Sequence, residues 1–132
     1  MNYEEYIELE TAKLAKKAGF DWECGKIYWK YEEGIWELED NHKEHCRILQ
    51  IDYCILAPTQ AVLQRWLREI KNTQMQILFE SMTVNKYYAI IKMKDIYHDF
   101  LMKDNHVAYF DTYEAALEAG LQKCLTLIIE KQ

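Results

Sequence analysis

His42, His45 and Cys46 stand close together in this chain, with Cys24 upstream and Cys54 downstream. Neutral imidazole and thiolate are good zinc ligands, and a histidine pair three residues apart can converge on one ion. The cysteines form no Cys-x-x-Cys and their spacing fits no zinc module. Ordinary thiols and surface histidines are the favoured reading, and no metal is expected. A thiol nucleophile needs an imidazole beside it in space. Only His45 and Cys46 adjoin in sequence, and sequence neighbours rarely meet in that geometry. Cys124 falls on an apolar helical face and reads as core. Four glycines, none closely spaced, leave no seat for a phosphate loop. No nucleophile elbow, zinc-protease motif or nucleotide fingerprint occurs. Neither a catalytic residue nor a cofactor is expected.

Two other constellations suit binding rather than catalysis. Gln64, Arg65, Arg68 and Lys71 share the polar side of one amphipathic helix. That side resembles a recognition helix for nucleic acid. The aromatic run Trp22, Tyr28, Trp29, Tyr31 and Trp36 suits a protein contact, because Trp and Tyr are favoured interface anchors. The competing reading packs these rings under the first helix and the sheet. A symmetric homodimer through this surface is one form that such a contact takes.

The elements that would position these residues follow from periodicity. The clearest is a helix from about Gln60 to Asn72, with Val62, Leu63, Trp66, Leu67 and Ile70 on one stripe. Pro58 fits just before its start and Thr59 is its N-cap. A first helix is expected from Tyr3 to Ala18, capped by Asn2 and closed by a left-handed Gly19 with Phe20 folding back. Lys26–Tyr31 and Ile35–Leu38 read as hairpin arms turned through Gly34. Arg47–Leu56 alternates as a strand. Gln74–Glu80 and Lys86–Met93 read as an antiparallel pair, and His106–Phe110 as a further short strand. Ile96, Tyr97, Phe100 and Leu101 are expected to cover an edge. A last helix starts at Asp111 or Thr112 and carries Ala116, Leu117, Gly120, Leu121, Cys124, Leu127 and Ile128 on one stripe. Gly120 on that stripe implies a close approach. The order predicts a single α+β domain over residues 1–132, a small, mostly antiparallel sheet with three helices mainly on one face.

Ala57-Pro-Thr-Gln followed by Leu-Gln-Arg-Trp-Leu-Arg-Glu resembles a signature of small uncharacterised proteins of Bacteroides-type gut bacteria, their phages and mobile elements. The block from Phe110 to Leu121 is similar to the C-terminal part of the same group. Together these blocks cover roughly a fifth to a quarter of the chain. Met82 to Asn105 has no counterpart there. The resemblance implies a bacterial or phage source and brings no activity or catalytic residue.

Composition bounds the rest. A chain of 132 residues, half of them hydrophobic, can bury a sizeable core. The net charge of −6 lies wholly in the first third, where Met1–His45 holds twelve acids against six bases. Acidic balance disfavours general nucleic-acid binding. The acidic N-terminus lacks an apolar leader pattern, so reduced thiols in the cytoplasm are expected, with no membrane association. The expected role is non-catalytic and works through contact with another protein or with itself. The alternative is a nucleic-acid-binding regulator using the basic face of the 59–71 helix.

Overall fold

The computed structural model describes residues 5–41, 53–93 and 97–132. In chain order the elements are α1 (Leu9–Ala18), β1 (Lys26–Lys30), β2 (Trp36–Asp40), β3 (Cys54–Leu56), α2 (Gln60–Ile70), β4 (Thr73–Glu80), β5 (Lys86–Met93), β6 (Tyr97–Phe100), β7 (Met102–Lys103), β8 (His106–Val107) and α3 (Tyr113–Glu130). The α+β class holds. Among the described residues the strands form three antiparallel sheets, ordered β2-β1-β3, β4-β5-β6 and β7-β8.

Local rules account for most helix ends. Thr59 caps α2, its hydroxyl accepting from the Val62 N–H at 3.2 Å. Thr112 caps α3 through the Ala115 N–H at 3.0 Å. Gly19 adopts φ +98°, and the Gly19 and Phe20 N–H groups return to the Lys16 and Ala15 carbonyls. That pair of bonds is the expected left-handed ending.

The first helix is shorter than its sequence pattern predicts. It starts at Leu9, and Asn2 lies outside the described residues. Residues 5–8 run beside the start of α2 instead. The Ile7 N–H donates to the Pro58 carbonyl, and the Gln60 N–H donates to the Glu5 carbonyl. This arrangement satisfies a free N–H at the α2 start and buries Ile7 completely. Those tertiary bonds replace the helical turn that residues 5–8 would otherwise make.

Arg47–Leu56 is described only from Tyr53, and its last residues form β3. Of the predicted His106–Phe110 strand, the first two residues form β8, and Phe110 makes an isolated bridge to Tyr87. β6 pairs along β5 where only edge cover was expected. The β7–β8 hairpin turns through Asp104 and Asn105, both at positive φ. Two such residues make the turn whose twist suits a hairpin.

The main core joins all three helices to both larger sheets. Ile7, Ala15, Phe20, Ile55, Leu63, Trp66, Leu67, Met75, Ile91, Leu121 and Leu125 are among its members. The Phe20 and Trp66 rings meet edge-on at 5.4 Å. Val62 and Ile70, placed on the α2 stripe by periodicity, stay exposed, whereas Gln60 is buried. Gly120 sits where α3 crosses the β4–β5 pair. A Cβ there would clash with Met75 Cε.

Candidate interaction surfaces

His42, His45 and Cys46 lie outside the described residues. Among the described residues no cluster of three His, Cys, Asp or Glu side chains is placed to hold a metal. Cys24 and Cys124 are free and buried. Burial pushes both thiols up to about 12, with Glu23 adding to the effect at Cys24. Both stay protonated at neutral pH and are poor nucleophiles. Cys54 is disulfide-bonded, which departs from the expectation of reduced thiols throughout.

The pleat of the hairpin divides its aromatic run. Tyr28 pairs with Leu38, Trp29 with Glu37 and Lys30 with Trp36. Tyr28 and Trp36 turn toward the main core. The Tyr28 hydroxyl donates to the Ile7 carbonyl at 2.6 Å. Its pKa is raised by burial and by the charges of Glu118 and Glu8. Trp29 packs against Ile27 and Cys54 on the other side and meets Tyr53 edge-on at 5.1 Å. Tyr31 is exposed and bonds to Glu39. Trp22 packs beside Phe20. Several of these rings lie under long cations. Lys13 and Lys30 lie 5.6 and 5.9 Å from the Trp36 ring, and Arg65 lies 5.9 Å from Trp22.

The basic side of α2 is partly engaged. Arg65 pairs with Glu69 one turn on. Gln64 donates to the Met75 carbonyl at 3.2 Å. Lys71 lies 5.5 Å from the Trp66 ring. Arg68 is exposed. A shallow groove of about 280 Å³ is lined by Lys71, Met93, Ile128, Lys131 and Gln132. None of these five side chains is a carboxylate, thiol or imidazole.

Sequence reasoning missed two features. The first is Glu118, the only buried charged side chain among the described residues. Its Oε2 accepts from the Glu8 N–H at 2.8 Å and from the Thr11 hydroxyl. Its Oε1 accepts from the Gln60 amide at 2.8 Å. Gln122 in turn donates to the Thr11 hydroxyl oxygen at 2.9 Å. This junction ties α1, α2 and α3 together. Both carboxylate oxygens are engaged, as a buried charge without a cation requires. The chemistry is that of a structural clamp.

The second is the face of the β4-β5-β6 sheet turned away from α3. Register puts Leu78 opposite Tyr88 and Ile90 opposite Phe100. The Tyr88 ring lies 5.9 Å from Phe100 and 6.0 Å from Tyr109. Phe100 is 44% exposed and Tyr109 38%. Leu78, Tyr88 and Ile90 on the same face are half-buried. The alternation of β5 hinted at two apolar sides, since Tyr88 and Ile90 alternate with Ala89 and Ile91. Comparison with family models, curated proteins and solved structures finds no match.

Proposed function

We propose that the chain is a non-catalytic interaction protein that binds another protein through the open face of the β4-β5-β6 sheet. The observation that carries this reading is the exposed pair Phe100 and Tyr109 flanking Tyr88, with Leu78, Tyr88 and Ile90 half-buried beside them on the same face. Contiguous exposed apolar patches mark contact sites. Their rings offer large, low-entropy contact area, and aromatic anchors dominate binding energy at interfaces. Arg65 is engaged by Glu69 on the basic side of α2, which supports protein contact over a phosphate track.

The reading extends to a bacterial or phage protein of the kind its two sequence blocks resemble, working in the cytoplasm. Among the described residues no helix is long and apolar enough to cross a membrane. Thiol counting on protein alkylated at lysis tests the compartment, because a disulfide such as that at Cys54 is uncommon in reducing cytosol.

The main test is affinity capture with the wild type and with Phe100→Asp/Tyr109→Asp, each shown to be folded by circular dichroism. A partner retained by the wild type and by a Trp29→Ala variant, but lost by the double variant, supports the open face. Equal capture by all three sinks it.

A further inference from the structure

The outer edge of β4 is built to pair with another strand. β4 is the terminal strand of its sheet. The direction of its main-chain groups follows from its neighbour. The Ala89 carbonyl accepts from the Leu101 N–H at 2.9 Å, and Tyr87 exchanges both main-chain bonds with Phe110 at 2.8 Å. The polar groups of Ala89 and Tyr87 therefore point away from β4. Ile77 lies opposite Ala89 and Phe79 opposite Tyr87. In an antiparallel ladder these are non-hydrogen-bonded pairs, so the N–H and C=O of Ile77 and Phe79 point outward. The Met75 carbonyl points the same way and is taken by Gln64. Among the described residues nothing bonds the outward groups of Ile77 and Phe79.

Natural edge strands are blunted by lysine, proline, bulges or shortness. β4 has none of these. It is eight residues long, Thr-Gln-Met-Gln-Ile-Leu-Phe-Glu, and its register with β5 is unbroken. Its one charge, Glu80, is drawn into the hairpin turn by the N–H groups of Met82, Thr83 and Val84.

We infer that β4 pairs antiparallel with β4 of a second copy of this chain across a two-fold axis at Leu78. That register sets Ile77 opposite Phe79 of the second copy, and each such pair exchanges both free main-chain bonds. An axis at Ile77 would set the occupied Met75 carbonyl against Phe79 instead. With the axis at Leu78, the leucine meets its own copy on the open face. Gln76 meets Glu80, so no like charges oppose each other despite the acidic chain. The two sheets become one, with closed inner edges. The inference concerns the edge and stands whether or not the open face takes a partner.

Sedimentation equilibrium across a wide concentration range tests it. The wild type is expected to dimerise. Gln76→Glu sets two carboxylate pairs face to face across the axis and raises the dissociation constant about tenfold. Gln76→Lys lowers it by about the same factor. Ile77→Pro removes an outward N–H and gives a monomer. The Gln76 pair of variants, on an exposed site, keeps the test sound if the proline variant fails to fold. A wild-type monomer at every concentration overturns the inference. So does a dimer indifferent to charge at position 76, or one dissolved by Phe100→Ser with Gln76→Glu still dimeric.

Discussion

Replacing Glu118 by Gln preserves volume and removes one charge, yet it should destabilise the fold. The carboxylate receives the Glu8 N–H, the Thr11 hydroxyl and the Gln60 amide, and it donates nothing. A glutamine carries one acceptor oxygen and one NH₂. If its oxygen faces Glu8 and Thr11, its NH₂ meets the Gln60 NH₂. Turning Gln60 to offer its oxygen instead gives up its bond to the Glu114 carbonyl. Either way one buried hydrogen bond is lost and a donor is left unpaired, which costs about 1–3 kcal/mol. Glu118→Ala leaves all three donors without their acceptor, and about 3–5 kcal/mol is expected. Two terms act in the opposite direction. Among the described residues no ion pair balances the buried charge, and its removal relieves the repulsion with Glu8. Burial first, then Glu118 and Glu5, hold the Glu8 carboxyl above its ordinary value of 4.5. In Glu118→Gln the Glu8 pKa should therefore fall. Urea unfolding at neutral pH reads the stability change as a lower midpoint at constant slope, and carboxyl NMR titration reads Glu8. A Glu118→Gln variant within about 0.5 kcal/mol of the wild type, with Glu8 unmoved, would refute the clamp.

Other outcomes follow from separate sites. The Glu80 carboxylate accepts the Val84, Thr83 and Met82 N–H groups and the Thr83 hydroxyl, which hold its pKa down to about 2. Its folded value is depressed, so its contribution is present above about 4.5 and fades as pH falls through about 2. Glu80→Gln should flatten stability between those limits, as read by unfolding at stepped pH. Gly120→Ala gains roughly 1 kcal/mol of helix propensity but drives Met75 aside, and overpacking costs about 1–3 kcal/mol. Net destabilisation is expected, turning to stabilisation in a Met75→Ala background; equal effects in both backgrounds would show that Met75 is not the obstacle. Cys24 and Cys124 should resist a maleimide in the folded protein and react in urea, because both thiols are buried and protonated. Mass spectrometry of the labelled protein scores this directly.

What was legible in the sequence is what local chemistry decides. Thr59, Thr112, Gly19 and Gly34 end or turn their elements because a hydroxyl or a positive φ is needed within a few residues. The amphipathic faces of α2 and α3 were likewise readable, and so was the close approach at Gly120. What escaped depends on distant partners. Glu118 reads as a polar break in the α3 stripe until Thr11, 107 residues away, and Gln60 are brought beside it. Gln60 reads as solvent-facing for the same reason. α1 loses its first turns because Pro58 and Gln60 offer the chain at Glu5 and Ile7 better-placed partners than a helix would. The division of strands among three sheets leaves no local mark, since each strand looks the same whichever neighbour it takes.

The two aromatic regions differ in what a partner would have to displace. On the hairpin side, Trp36 lies under Lys13 and Lys30, and Trp22 lies under Arg65. A partner settling there must move or desolvate those cations, and each such contact is worth about 0.5–1 kcal/mol even when exposed. On the open sheet face, Tyr88 meets both Phe100 and Tyr109, and among the described residues no cation stands over these rings. Covering that face releases water from apolar surface at roughly 25 cal/mol per Å², against the entropy of association that any partner must meet. The face is also carried on paired strands, so its rings lose little freedom on binding. The hairpin holds the denser aromatic sequence, but among the described residues a partner on the sheet face has no such cation to displace.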